Sequence, residues 1–533
     1  MATLPRELLY LVAQHLHRDG VSLVPYSTVC RHWQPTFESL IFSTLTIHSG
    51  NSSNDNKVPG KKGISLGQFE EATSGSKATR RAYIHNLQFD VLVPYELLDW
   101  TSRKEAGYTT KNTIREANDE AFEAAITSLF HILSSWDEQI RLSLQIGLLG
   151  CQQGRGALEP VTRYFSNAGD YRYDYRNGRT KSVPPYRARF SSANIVLPAV
   201  PCVDKLIFAN IRFRDPKMSE DHRVVSVDED EALDTRPRNR WHQVWAGAVF
   251  RIAQHCPTVT ELSVDLDEWV RPDYLQYIKE RRAAVADGLQ ALPASLRVLD
   301  YSGQQEYPWK ETQPALNVLK TETDTLATSL QSISLVLREL HLTNVTLPMD
   351  FLWPLDGSGN PIANPTHHWF YLRLLILDEV PPFLPSGKWL ADPEAEDQEE
   401  INNISDWEDE ICNYERGFVD RPVLDTEQFH RLFISWGHAA RHAMAQIVLM
   451  KFSLDHSPTV QFTFSVAGGG GCGDNAEADG ATLEWVVSCG YRPDQRVARA
   501  WGFEVDEILG TDDTGSDEEE DFSVVLPRWR PGV

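Results

Sequence analysis

Beyond residue 63 this chain shows a recurring short pattern, an apolar residue followed by others three and five positions later. The sets are Ile84/Leu87/Phe89, Val203/Leu206/Phe208, Val259/Leu262/Val264, Leu296/Leu299/Tyr301, Leu337/Leu340/Leu342, Leu372/Leu375/Leu377 and Ile447/Met450/Phe452. The last two residues of each set stand two apart, so they share one face of a strand; the first caps the turn entering it. Helical patterns precede several of these strands. One is Trp241–His255, with Val244, Trp245, Ala248, Val249 and Ile252 on one stripe; the others are Tyr274–Leu292 and Phe429–Met444, the last with Phe433, Trp436 and Ala440 at helical spacing.

Three successive spacings are 37, 41 and 35 residues (259 to 296, 296 to 337, 337 to 372). Helix, short turn and strand at such a period is the grammar of a leucine-rich-repeat-like solenoid. The expected fold class is therefore α/β, with α+β as the alternative, in the form of an irregular αβ solenoid. Such triplets also occur in any Leu-rich α/β protein, and the turn asparagine of the repeat is mostly missing; Asn344 after Leu342 is the one near match.

The 533 residues set a prior of three to four domains. Residues 1–48 read as a compact apolar unit and 49–79 as a flexible, Gly/Ser-rich linker. Residues 80–464 are the repeat body, 465–480 a Gly-rich loop with Gly468 to Gly471 in a row, and 481–505 the last part of the body. Residues 506–533 read as an acidic tail. Within the body, residues 391–411 hold ten Asp/Glu and no Lys or Arg, and 506–521 hold nine. Charge this dense stays solvated, so both are expected to be disordered. Ser516, followed by acidic residues, is a candidate for acidic-directed phosphorylation.

With 51 Lys+Arg against 75 Asp+Glu, the net charge is −24. A surface so acidic repels phosphate backbones and anionic lipid, so neither nucleic acid nor membrane is expected as a partner. No run of about 18 apolar residues is present, and the N-terminal apolar stretch is broken by Arg6, Glu7, Gln14 and His15, unlike a secretory signal. The seven cysteines, Cys30, Cys151, Cys202, Cys256, Cys412, Cys472 and Cys489, include no CxxC. That fits reduced thiols in the cytoplasm or nucleus rather than a disulfide framework or a structural zinc.

Pro5 sits in the first turn of a helix whose Leu8, Val12 and Leu16 recur at i+4 steps, widened by Leu9 and Leu11; Asp19-Gly20 ends it. A second apolar set comes next, from Val21 and Leu23 through Tyr26, Val29, Cys30, Trp33 and Phe37 to Leu40 and Ile41. About 40 residues enclose little interior, so these side chains cannot all be buried within the unit. The surplus must be covered by another protein or domain.

The start Leu4-Pro5-Arg6-Glu7-Leu8-Leu9, with Val29-Cys30-Arg31-His32-Trp33 after it, resembles an F-box. The resemblance implies a three-helix module that docks to the Skp adaptor of cullin–RING ubiquitin ligases, while the rest of the chain recruits a target. Carried over by position, Leu4, Pro5, Leu8, Val12, Leu16, Val29, Cys30 and Trp33 would form the adaptor-facing or supporting apolar surface. The segment from Asp19 to Val29 is long and carries Pro25 where the family has a Leu-rich second helix, which leaves the start of that helix open. The body is similar to that of large F-box proteins of filamentous fungi, a resemblance that brings no activity with it.

No phosphate-binding GxxxxGK[ST], no GxGxxG after a strand and no HExxH occurs. His438 and His442 share a helix face with His430 a step away, but no third ligand stands near in sequence, so no metal and no cofactor is expected. Cys30 reads as a packing residue. Arg172, Arg176, Arg179, Lys181, Arg187 and Arg189 interleave with Tyr171, Tyr173, Tyr175 and Tyr186. This segment could grip an acidic partner peptide or a nucleic acid, or be a solvated loop, or dock on the chain's own acidic insert. The leading expectation is a non-catalytic substrate-recognition subunit of an SCF-type ligase, which acts by proximity and needs no nucleophile. The alternative is a Skp-binding scaffold outside a cullin ligase; an enzyme with scattered catalytic residues is the third possibility. The sequence leaves the identity of the target protein open. Glu339, His341 and Arg373, between apolar strand positions, are the candidate target contacts.

Overall fold

The computed structural model describes residues 5–50, 63–96, 113–153, 186–192, 195–208, 244–266, 275–303, 315–362, 367–395, 421–454, 459–466, 480–488, 490–510, 520–527 and 529. Leu4, the basic segment before residue 186, most of the acidic insert, the glycine run at 468–471 and Ser516 lie outside the described residues. The chain divides into two compact units, residues 1–165 with 181–264, and residues 166–180 with 265–533. Both are mixed α/β; the strand pairings of the first are parallel, and those of the second are part parallel and part antiparallel.

The first unit opens with helices α1 (Arg6–Arg18), α2 (Val24–Ser27) and α3 (Gln34–Ile41). Strands β1 (Thr44–His48) and β2 (Ile64–Ser65), helix α4 (Leu66–Thr73) and a 3-10 segment (Gly75–Tyr83) come next. Then come β3 (Asn86–Glu96), α5 (Thr113–Leu133), β4 (Leu142–Gln153), β5 (Val203–Phe208), α6 (Ala246–Gln254) and β6 (Glu261–Asp265). The sheet order is β2-β1-β3-β4-β5-β6, every pairing parallel, so apart from the edge strand β2 spatial order follows chain order. Leu87, Leu144, Leu206 and Leu262 stand in register on four successive strands, all buried. Helix α5 covers β3 with Phe122, Ile126, Leu129 and Leu133 buried. Its Asn118 side chain accepts from the Tyr95 amide (2.9 Å) and donates to the Tyr95 carbonyl (2.8 Å), which satisfies backbone groups where the strand ends.

The second unit carries α7 (Leu275–Gln290), β7 (Val298–Ser302), α8 (Thr325–Ser334), β8 (Glu339–Thr343) and β9 (Leu374–Val380). A small antiparallel pair, β10 (Ala391–Asp392) with β11 (Val423–Leu424), precedes α9 (Thr426–His442). Then come β12 (Leu449–Leu454), β13 (Val460–Val466), β14 (Ala481–Val487), α10 (Gln495–Trp501), β15 (Leu509–Gly510) and β16 (Glu520–Leu526). The order is β7-β8-β9-β12-β13-β14-β16-β15. The first four strands run parallel, with Leu299, Leu340, Leu375 and Met450 in register; the others join antiparallel. Aromatic side chains fill the antiparallel half, among them Phe433, Phe462, Trp485 and Trp501.

The last two residues of all seven triplets fall on strands and are buried. Asn344, the near match to a repeat-turn asparagine, takes a left-handed conformation (φ 56°) after β8 and donates to Glu379 Oε2 (3.0 Å).

Three expectations are corrected. Residues 63–79 are not linker: Ser65 caps α4 in a reciprocal capping box with Gln68, and β2 pairs with β1. The acidic tail contributes β15 and β16, because Phe522, Val524 and Leu526 alternate beneath its charge and are buried against β14. The helix–turn–strand grammar also stops at β12, beyond which β13, β14 and β16 join antiparallel. No helix among the described residues is long and apolar enough to cross a membrane.

Candidate functional site

The N-terminal helices of the first unit hold a very small core. Ala13, Leu23 and Phe37 are its buried residues, with Leu16, Tyr26, Trp33, Leu40 and Ile41 packed around them. The rings of Tyr26 and Trp33 each stack on Phe37, at 5.6 and 5.5 Å between centroids. Helix α2 is a single turn with Pro25 in its first positions, where no donor is missed, which settles where the second helix begins.

One face of α1 turns inward through Leu9 and Ala13, and Leu16 completes it. The neighbouring face carries Leu8, Leu11 and Val12, which are 47, 51 and 45% exposed. Val24 and Val29, 57 and 60% exposed, add to this surplus from α2 and the turn after it. Pro5 is exposed and sits at the N-cap of α1. Covering half-exposed Leu and Val side chains is worth about 1 kcal/mol each, so the set is a reservoir of association energy. Of the residues named from the family pattern, Leu8, Val12 and Val29 face out, while Leu16 and Trp33 support from within. Cys30 is exposed, contrary to its reading as a packing residue; its carbonyl accepts from the amides of Trp33 (3.1 Å) and Gln34 (3.1 Å) and so starts α3.

Glu38 ties the three helices to the 3-10 segment of the same unit. Its carboxylate meets the Arg80 guanidinium at 2.5 Å and accepts from Gln34 Nε2 at 3.0 Å, while Arg80 lies over the Phe42 ring. Burial alone would raise the Glu38 carboxyl, but Arg80 and Gln34 together hold it below its ordinary value.

In the second unit, Glu339 and His341 lie on one face of β8 (Nε2 to Oε2, 3.6 Å), with Leu340 and Leu342 buried on the other. Arg373 precedes β9 on the parity of Leu375, so the fold brings Glu339 and His341 together and leaves Arg373 apart from them.

Other candidates for chemistry are occupied structurally. The rings of His438 and His442 stand 5.5 Å apart beside Trp353; burial, with His442 and Arg441 nearby, pushes His438 down to about 4. His430 bonds the Arg492 carbonyl and Arg496. No group of His, Cys, Asp or Glu among the described residues could hold a metal ion. From the basic segment, buried Tyr186 donates to Asp119 Oδ1 (2.9 Å), which the Arg189 amide also reaches. A groove of about 760 Å³ is lined by Met349, Phe351, Asp324, Asp350 and Arg431. Two of its carboxylates face arginines, Asp324 with Arg282 (2.6 Å) and Asp350 with Arg431 (3.7 Å).

No protein-family model matches the chain, and no curated protein matches it significantly.

Proposed function

We propose that this chain is the substrate-recognition subunit of an SCF-type cullin–RING ubiquitin ligase. Its N-terminal helices dock to the Skp adaptor, and a leucine-rich-repeat-like body recruits a protein target. The observation that carries this reading is the outward apolar face of Leu8, Leu11, Val12 and Val29 on a module whose described residues bury only a few apolar side chains, Leu9, Ala13, Leu23 and Phe37. A face of that kind is an association surface, and it includes Leu8 and Val29 from the two sequence elements that resemble an F-box. The in-register leucine ladders and chain-ordered parallel strands support the repeat reading of the body. The receptor holds the target near the charged ubiquitin carrier and supplies proximity rather than a nucleophile.

A pull-down of the full chain, probed for Skp and cullin, tests the reading, with Leu8→Asp/Val12→Asp as control. Capture of both by the wild type and loss of both in the variant is the expected result. Skp without cullin would move the assignment to a scaffold outside the ligase. Capture of neither would overturn the adaptor reading.

A further inference from the structure

Three arginines stand in register where the second unit's chain enters its parallel strands. Arg297 precedes β7, Arg338 precedes β8 and Arg373 precedes β9. The amides of Arg338 and Glu339 both donate to the Arg297 carbonyl, at 2.7 and 3.1 Å. Those of Arg373 and Leu374 both donate to the Arg338 carbonyl, at 2.8 and 3.2 Å. In-register neighbours on adjoining strands lie about 4.8 Å apart, and like charges so placed repel. Arg297 turns its guanidinium back to the carbonyls of Ala294 (2.8 Å) and Leu296 (2.7 Å). Arg338 and Arg373 are exposed, and neither has a side-chain hydrogen bond or ion pair among the described residues. In a chain of 75 carboxylates and 51 Lys+Arg, two adjacent arginines without an acidic partner are a conspicuous placement.

The same rim exposes Phe370 and Tyr371 (61 and 54%) together with Val336, and His368 stacks on the Phe370 ring at 5.9 Å. Tyr371 lies two residues before Arg373, and Val336 two before Arg338. Cationic forks and exposed aromatic side chains therefore share one short stretch of surface. Guanidinium groups match carboxylates bidentately, and exposed aromatics beside them are the side-chain type that anchors interfaces.

We propose that this rim binds an acidic peptide segment of a partner protein. Carboxylates of the segment would be held by Arg338 and Arg373, and a neighbouring apolar side chain by Phe370 and Tyr371. A short peptide meets only the local positive field, whereas an extended nucleic acid would have to run along a chain of net charge −24. The proposal rests on the receptor reading only in making this peptide part of the target, and its test leaves the adaptor out, so the two fail separately.

The full chain is titrated into a short fluorescein-labelled peptide alternating Glu with Leu. Comparators are the same peptide with Lys for Glu and a single-stranded oligothymidylate. Salt-sensitive binding of the Glu peptide is expected, with about tenfold weakening in Arg338→Gln/Arg373→Gln and a comparable loss in Phe370→Ser/Tyr371→Ser. All four positions are exposed, so the thermal melts should match the wild type; if the first variant melts early, Arg338→Lys/Arg373→Lys keeps the charge, loses the fork and should show a partial loss. Unchanged affinity in a variant that melts normally would overturn the proposal. So would equal binding of the Lys peptide, binding of the oligonucleotide in preference to the Glu peptide, or no binding of the Glu peptide.

Discussion

Gly437 of helix α9 lies flat against the indole of Trp501 in α10: a Cβ at residue 437 would stand 2.9 Å from both Cδ1 and Nε1 of the ring. The indole is fully buried and donates to the Phe433 carbonyl one helical turn earlier (2.9 Å), so it has nowhere to retreat. The helices can approach this closely only because residue 437 has no side chain.

Gly437→Ala should therefore destabilise the second unit by about 1–3 kcal/mol, the usual cost of overpacking a filled core, although alanine is the better helix former. Thermal or urea unfolding of the variant checks this. A stability equal to or above wild type would mean that the helices separate freely.

Leu8 and Leu9 are neighbours with opposite fates. Leu8→Asp/Val12→Asp changes exposed positions and should leave the melting temperature within about 2 °C of wild type while adaptor capture is lost. Leu9→Ala empties a buried position and should cost about 2–5 kcal/mol. Circular dichroism melts run beside the pull-down separate the two effects.

The Glu38–Arg80 contact should show in acid. A carboxyl held below its ordinary value of 4.5 contributes stability that is complete above that value and is lost as pH falls through the lower, folded value. Glu38→Gln should be less stable than wild type near neutrality, and the gap should close as pH drops below 4.5. Urea titrations at stepped pH measure it.

His438 acts in a higher window. Half-buried, neutral and pushed down to about 4 from 6.5, it takes up a proton on unfolding once the pH is below 6.5. Stability should therefore fall as pH drops from 6.5 towards 4, because the unfolded state binds more protons there. His438→Gln should flatten that part of the curve and leave the Glu38 window in place.

Ser334 Oγ accepts from the Trp369 indole at 2.7 Å, and both residues are buried. Ser334→Ala leaves that donor unsatisfied and should cost about 1–3 kcal/mol. An unchanged unfolding midpoint would show that another acceptor replaces it.

The apolar periodicity carries most of the body. Val203/Leu206/Phe208 and its six counterparts each mark a buried strand because a half-turn leading into alternation is a local property of the chain. Strand β4 bears no such triplet: it is a longer run, Leu142 to Leu149, without the turn residue that makes the others stand out. The S-x-x-Q box of Ser65 and Gln68 is a legible start for α4, masked by the glycines and serines around it. At the acidic C-terminus, the density of charge conceals the alternation of Phe522, Val524 and Leu526.

By itself, the sequence determined seven of the strands, the places of several helices, and that the first 45 residues carry more apolar surface than they can enclose. These properties arise from local periodicity and from the surface-to-volume ratio of a small unit. Only the tertiary structure decided which of Leu8, Val12 and Leu16 face outward, since all three recur at the same helical spacing and differ in what packs beside them. It alone set Arg338 beside Arg373 and separated Arg373 from Glu339 and His341. Register between strands 35 residues apart is a long-range pairing that no local pattern specifies.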